Sequence, residues 1–410
     1  MALHPRHSSQ LSSSSPFFSR TRPDNSQTLL CVSHLRWNFV RQRPQHLLSR
    51  AAQGYEVYFV EEPMFRLDAI PALELQETAD GVTVAIPILP SGVNALQATR
   101  LQRRLVTDLV ERIAPEKLLL WYYTPMALPF TRHLSADVVV YDNMDELSAF
   151  LGAPPRTLAL ERELLRRADV VFTGGHSLYE AKKGRHANIH PFPSSIDKAH
   201  FGKARAYGGQ EPADQAGIPG PRLGFFGVID ERMDLELVAR AADLRPDWRF
   251  VMIGPVVKID PDILPQRPNL HWLGGKDYDE LPSYLAGWDV GVMPFALNEA
   301  TRFISPTKTP EFLAAGVPVV STAIRDVVRG YGQDGLVVIA DTPEDLVLKA
   351  ERLMTAPRAD WLAAVDRKLA ADSWDRTWSE MNAHIRAAAR AASRPRAARS
   401  EEVAADAARL

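Results

Sequence analysis

The sequence predicts an α/β protein in two Rossmann-like halves, each a parallel sheet with helices on both faces, the halves opening on a shared cleft. Three observations carry that expectation. From Thr28 onward, short runs rich in Val, Ile and Phe alternate with longer helical patterns, which is how strand and crossover-helix units read. Runs such as 138–141 and 170–173 are apolar at nearly every position, as parallel strands covered on both faces are. The alternation stops at about residues 198–221 and then restarts, and a chain of 410 residues is long enough for two cores.

In the first half the expected strands are 29–33, 56–60, 82–86, 118–121, 138–141, 170–173 and 188–190. Helical patterns fall at 44–52, 95–113, 156–167 and 177–183. Residues 198–221 are rich in Gly, Ala and Pro, lack periodicity and are read as an interdomain linker. Strands resume at 223–226, 249–253, 270–272, 290–293, 318–320 and 336–339. The expected division is therefore 28–197, linker 198–221, 222–371, and a helix over 372–392 crossing back to the first half. Residues 1–27, Ser-rich with Arg6, Arg20 and Arg22 ahead of the first acid at Asp24, share a bias with organelle transit peptides. They are read as a disordered tail, because so polar a segment cannot offset its ordering entropy. Residues 393–410 are read likewise. Their Ala-Arg repetition could touch a membrane surface but lacks large apolar anchors, which favours a solvated tail.

Composition excludes several classes of function. A formal net charge of -2 gives no overall attraction for nucleic acid or anionic lipid, so small molecules are the better partners. Cys31 is the only cysteine, which rules out a disulfide framework and a Cys-based zinc site. The apolar runs are strand-sized and the N-terminus has no continuous hydrophobic stretch of the kind a secretory signal needs, so a cytoplasmic protein is expected.

The richest segment runs from Asn298 to Ser321 and joins the strand at 290–293 to a helix ending at Gly316. A helix start beyond a parallel strand's carboxyl end is a ready anion site, with free N–H groups and the dipole facing the crevice. Pro310 cannot lie deep in this helix, so Thr307 or Thr309 is the expected N-cap. Lys308 then falls in the first turn, where a lysine opposes the dipole and has no stabilising role. An anionic ligand explains it better than a surface position does.

The segment Ser305-Pro-Thr-Lys-Thr-Pro-Glu-Phe-Leu-Ala-Ala-Gly-Val-Pro-Val-Val320 resembles the donor-binding segment of GT-B glycosyltransferases. The likeness is to the bacterial group 1 (retaining-type) enzymes of cell-surface polysaccharide synthesis, including the teichuronic-acid TuaH-like proteins. His34-Leu-Arg-Trp-Asn-Phe-Val-Arg-Gln-Arg-Pro-Gln-His46 and Gly224-Phe-Phe-Gly-Val-Ile-Asp-Glu-Arg-Met-Asp234 are similar to the same group. The resemblance implies a GT-B fold, a nucleoside diphosphate sugar as co-substrate with no other cofactor and no metal, and transfer with retention. The second half would hold the donor and the first the acceptor. Glu311 would hold the ribose hydroxyls and Lys308 the diphosphate, with Pro306 in the same donor segment. The group's pair of glutamates separated by seven residues is incomplete here, because its first position falls on Phe303. Asn298, Glu299 and Thr301 are the nearby candidates for contact with the donor sugar.

Other residues are read directly. Gly227 follows an apolar strand and leaves room for backbone to approach a ligand, and Arg232 offers a guanidinium matched to phosphate; the alternative is a turn with a solvated arginine. The loop Gly274–Tyr278 is a candidate wall for the base. Asp277 and Asp279 spell an Asp-X-Asp pattern, yet they precede a helix and fit caps better than metal ligands. His34, Arg36, Trp37, Arg41 and Arg43 cluster after the first strand and suit an acceptor carrying phosphate or a lipid diphosphate. The structural alternative packs Trp37 and pairs the arginines with Glu61 and Glu62. Asp142 and Asp145 follow the strand at 138–141, Asp142 being the candidate electrostatic or hydrogen-bonding group in catalysis, and His176 is either a cleft residue or a helix-capping or core histidine. Lys308, Arg232 and the helix start could stabilise a leaving diphosphate without metal. A GT-B epimerase or phosphorylase, or a degenerate nucleotide-sugar binding module, are the competing functions.

Overall fold

A computed structural model of the chain describes residues 27–392, so both expected tails, apart from Gln27, lie outside the described residues. The first sheet contains β1 (Gln27–Val32), β2 (Glu56–Val60), β3 (Met64–Arg66), β4 (Ala72–Glu77), β5 (Val82–Pro90), β6 (Lys117–Tyr122), β7 (Val138–Asn143), β8 (Val170–Thr173) and β9 (Ile189–Pro191). Its order is β3-β5-β2-β1-β6-β7-β8-β9, with β4 added antiparallel to β5 and every other pairing parallel. The second sheet contains β10 (Arg222–Phe226), β11 (Arg249–Ile253), β12 (Leu270–Gly274), β13 (Val290–Met293), β14 (Val319–Ser321) and β15 (Val337–Ile339), in the order β12-β11-β10-β13-β14-β15, all parallel. The fold is two-sheet α/β of the GT-B kind.

Burial on both faces explains the unbroken apolar runs. In β1, Leu29 and Cys31 face a core shared with the helices Arg43–Ala51 and Trp374–Ala392, while Leu30 and Val32 face the helices Ala95–Ile113 and Thr157–Arg167. The second sheet repeats the scheme, with Phe226 and Ile253 toward the helix Lys308–Ala314 and Phe225 and Met252 toward the helices Leu235–Leu244 and Pro343–Thr355. No helix among the described residues is long and apolar enough to cross a membrane.

Two features depart from the sequence reading. β3 and β4 were not expected: both lie at the sheet edge and are largely exposed, so neither shows the continuous apolar run used to find strands. Residues 198–221, read as a linker, fold into short helical turns at Lys198–Gly202, Lys203–Ala206 and Ala213–Ala216. Phe201, Ala204 and Ile218 anchor them in the core of the second sheet. Turns of four or five residues are too short to display a helical period.

The last helix, Trp374–Ala392, packs on the helix Arg43–Ala51 and on β7 and β8 of the first sheet. Trp374 stacks on His46 with ring centroids 4.7 Å apart. The halves also meet at Asp326, whose carboxylate accepts from the Ser177 backbone N–H at 3.0 Å and from the Ser177 hydroxyl. Beside it, Glu180 pairs with Arg325 at 3.2 Å and Arg329 at 3.0 Å.

Candidate functional site

Strand order reverses between β1 and β6 in one sheet and between β10 and β13 in the other. At such a switch point the loops leaving the carboxyl ends diverge and open a crevice. Two cavities occupy the space between the facing ends. The larger, about 860 Å³, is bordered by the loop after β1 with Trp37 and Arg41, by Gly227 and Gly254 after β10 and β11, by the loop Gly275–Tyr278 after β12, and by Lys308 and Glu311. The smaller, about 150 Å³, joins Gly227, Arg232, Pro306 and Lys308 of the second half to Arg43 and Asp145 of the first.

Lys308 opens the helix Lys308–Ala314 and Thr307 is its N-cap residue, without a side-chain cap bond. Lys308 Nζ lies 3.0 Å from Glu311 Oε2, 3.1 Å from Thr307 Oγ1 and 4.8 Å from the centre of the Phe226 ring. Burial pushes the Glu311 carboxyl up from its ordinary value, and the Lys308 ammonium opposes that shift. The floor is made by two glycines with positive φ, Gly227 at 142° and Gly254 at 151°. A Cβ on Gly254 would stand 1.7 Å from the Gly227 carbonyl oxygen, so only glycine lets the two loops touch.

Arg232 reaches the smaller cavity while holding Asp230 through Nε–Oδ1 at 2.9 Å and Nη2–Oδ2 at 2.7 Å. Its guanidinium lies 5.4 Å from the Phe150 ring of the first half, and the Lys258 ammonium lies 4.3 Å from the same ring. Burial raises the Asp145 carboxyl, against the pull of the Arg232 and Lys258 charges.

Several expected residues are placed otherwise. Asp142 and Arg43 are buried as each other's partner, Arg43 Nε–Oδ2 at 2.8 Å and Nη2–Oδ1 at 2.9 Å, and Arg43 Nη1 donates to the Phe192 carbonyl at 2.7 Å. The catalytic reading of Asp142 and the acceptor reading of Arg43 give way to a positioning pair that ties a helix start to β7 and to the segment leaving the first half. Trp37 is mostly core, edge-on to Phe59 at 5.1 Å, with only its rim on the larger cavity. Arg36 donates to Glu61 at 3.0 Å and to the Glu62 carbonyl at 2.6 Å, which is the structural alternative. His34 Nδ1 is buried without a hydrogen-bond partner among the described residues, and burial together with the Lys258 charge holds its pKa down to about 4. Asn298 and Thr301 serve their own turn: Asn298 Oδ1 accepts from the Thr301 N–H at 3.2 Å, and Thr301 Oγ1 donates to the Ala296 carbonyl. Neither borders these two cavities. Asp277 forms a capping box with Glu280, and His176 starts the helix His176–Lys182 on a separate interdomain cavity.

Tyr278, His200 and Lys258 were not singled out individually from sequence. Tyr278 stacks on His200 at 4.1 Å on the wall of the larger cavity, and its buried hydroxyl has no partner among the described residues. The Gly-Gly before it pointed to the loop, but only the packing selects the ring.

Two facing parallel α/β domains, with a Lys–Glu helix start and glycine-floored loops at the cleft, define the GT-B class. Residues 220–356 match the family described as Glycosyl transferases group 1. It is 28% identical over 242 residues to the "Putative teichuronic acid biosynthesis glycosyltransferase TuaH" of Bacillus subtilis (strain 168), a match covering 54% of this chain and 60% of TuaH. The chain thus spans less than two thirds of that relative's length. Similar solved structures include trehalose-6-phosphate from E. coli bound with UDP-2-fluoro glucose, at TM-score 0.66 and 13% identity over 88% of this chain and 99% of that one. Sucrose-phosphate synthase from Thermosynechococcus elongatus gives TM-score 0.67 and 14% identity over 88% and 98%. Anabaena HepE in complex with UDP and glucose gives 0.59 and 13% over 87% and 98%. At these identities the likeness is one of fold.

Proposed function

We propose that the protein is a glycosyltransferase that moves a sugar from a nucleoside diphosphate sugar to a cell-surface glycan or lipid-linked acceptor, with retention. Residues 222–371 form its donor domain and 28–197 its acceptor domain, and it works in the cytoplasm or at the inner face of the membrane. The observation that carries the reading is the Lys308–Glu311 pair at a helix start, 3.0 Å apart on the wall of a cavity floored by Gly227 and Gly254. A cation and a buried acid side by side match the two ends of a ribose diphosphate. The ammonium meets phosphate oxygens, and the carboxylate accepts from two hydroxyls. As the bond to the anomeric carbon breaks, charge grows on the leaving diphosphate, which Lys308, Arg232 and the helix N–H groups would stabilise. The carboxylate of Glu311 touches only the ribose, so it contributes to binding more than to the chemical step.

TuaH is named for teichuronic acid biosynthesis, and the E. coli and Anabaena structures hold UDP compounds. UDP-sugars are therefore the first donors to test. Calorimetric titration should find UDP binding to the wild type and weakened by about 1–3 kcal/mol in Glu311→Gln, the range for losing charge-assisted acceptance. Slow release of UDP from a UDP-sugar without acceptor would accompany it and separates a transferase from a binding module. Equal uridine affinity in wild type and a folded Glu311→Gln would sink the ribose assignment.

A further inference from the structure

The two cavities of the cleft meet at Gly227 and Lys308, which border both. Glu311 borders only the larger, Arg232 and Asp145 only the smaller. With a nucleoside against Glu311 and its diphosphate on Lys308, the next group along the molecule, the sugar, falls in the smaller cavity. The volumes, about 860 and 150 Å³, rank in the same order as a nucleoside and a single sugar ring. Asp145, the one acid bordering the smaller cavity among the described residues, belongs to the first half. The fold holds it by its backbone: its carbonyl accepts from the Asn143 side-chain amide at 2.8 Å and from the Leu147 N–H at 3.0 Å. Gly174, after β8, permits the close packing of this loop, since a Cβ there would stand 2.5 Å from the Met144 carbonyl oxygen. The Asp145 carboxylate itself has no hydrogen bond or ion pair with any described residue, although the charges of Arg232, Lys258 and Arg43 act on it. The cations bordering the cavity each have an acid of their own: Arg43 has Asp142, Arg232 has Asp230 and Lys308 has Glu311. Lys258 lies over the Phe150 ring, outside the lining.

We propose that Asp145 is a specificity-determining residue for the donor sugar: across the cleft its carboxylate accepts hydrogen bonds from hydroxyls of a neutral hexosyl group, and it disfavours a sugar that carries a carboxylate. The inference rests on the donor reading above and deepens it, since the nucleotide is then held by the second half while its sugar is read from the first. A carboxylate has room for two hydroxyl donors at once, and in a partly desolvated cavity such a bond is charge-assisted. An acceptor left without a donor in the same place is costly, so a sugar with hydroxyls there is selected. A uronate brings a second carboxylate beside Asp145 where the neighbouring cations already face acids, and like charges set together there oppose binding. Asn298 and Thr301, which border neither cavity, leave this role to the first half.

Calorimetric titration of UDP, UDP-glucose, UDP-galactose and the two corresponding UDP-uronates against wild type, Asp145→Asn and Asp145→Ala tests it. UDP affinity should be nearly equal in the three proteins. The wild type should bind the better of the two neutral UDP-hexoses more tightly than either uronate. That hexose should lose roughly 10-fold to 100-fold in affinity in Asp145→Ala, the range for losing hydrogen bonds to a charged acceptor. Asp145→Asn keeps the shape and removes the charge, so the gap between hexose and uronate should narrow. Unchanged UDP-hexose affinity in both folded variants, with UDP still bound, overturns the inference and leaves the donor reading standing. So does a loss of UDP affinity in proportion to that of the UDP-hexose, which makes Asp145 a structural group, and so does a wild type that prefers a uronate. Absence of UDP binding by the wild type removes the donor reading and this inference with it.

Discussion

At Asp142 a single change of oxygen to nitrogen asks what the buried pair does. Asp142→Asn leaves the Arg43 guanidinium buried beside a neutral amide, and breaking such a pair from one side costs about 3–5 kcal/mol. The expected outcome is a fall in unfolding free energy of that size, with UDP affinity of the folded fraction nearly unchanged, because the proposed donor groups lie in the other half. Lys308 behaves differently. It is the cation beside a buried carboxyl already pushed upward, so Lys308→Ala drives Glu311 further toward its neutral form. Turnover should fall by roughly 100-fold to 1,000-fold, the usual loss on removing one group that stabilises developing negative charge. UDP affinity should recover in part as rising pH ionises Glu311, and an affinity flat with pH would separate the two residues.

His46 extends the pH argument to stability. Burial first, then the Arg41, Arg50 and Lys308 charges, lower its pKa to about 3, from an ordinary value of 6.5. A histidine with a depressed pKa binds its proton more readily in the unfolded chain, so stability rises with pH across that window. The contribution is fully present above about 6.5 and drains away as pH falls toward about 3. Urea melts of the wild type should lose stability over that interval, and His46→Gln should flatten the slope.

At the scale of elements, the last helix belongs to the core of a sheet more than 200 positions earlier. Trp374, Met381 and Ile385 are buried against the first half, and Trp374 covers the His46 ring. Trp374→Ala removes a large buried aromatic and should cost about 3–5 kcal/mol. The loss should appear as faster hydrogen exchange in the helix Arg43–Ala51 and in β7. Exchange confined to the helix Trp374–Ala392 itself would mean that the helix only leans on its neighbours. The edge hairpin of β4 on β5 works by another logic: Leu73 and Leu75 pack on the sheet while Gln76 and Glu77 stay exposed.

For the whole molecule, Asp326 is one of the residues through which the halves hold each other, beside the pairs of Glu180 with Arg325 and Arg329. Gly175 is small because a Cβ there would lie 2.4 Å from Asp326 Oδ2. Asp326→Ala removes the charged acceptor of two hydrogen bonds from Ser177, each contributing about 1.5–3 kcal/mol. The expected result is a larger radius of gyration by X-ray scattering and earlier protease cleavage where the chain leaves β9, both reversed in part by UDP. Scattering curves identical to wild type would show that the remaining contacts, Glu180 with Arg325 and Arg329 and Phe150 with Arg232 and Lys258 among them, suffice to keep the halves together.

How much was legible beforehand depends on the range of each interaction. The strands of both sheets, except β3 and β4 at the exposed edge, could be read from sequence because burial on two faces leaves continuous apolar runs, a signal contained within five or six residues. Lys308 and Glu311 could be paired for the same reason: they are three apart on one helix, and Pro310 bounds where that helix starts. Tertiary structure alone decided that Arg43 finds Asp142 across 99 positions, that Trp37 turns its ring to Phe59, and that Asn298 and Thr301 bond each other instead of facing a sugar. It also decided that residues 198–221 fold onto the second sheet, and that Lys258 and Arg232 meet over Phe150. Periodicity and helix-start chemistry are written in neighbouring residues, whereas which guanidinium neutralises which carboxylate is settled only when packing brings distant segments together and burial makes an unpaired charge too costly to keep.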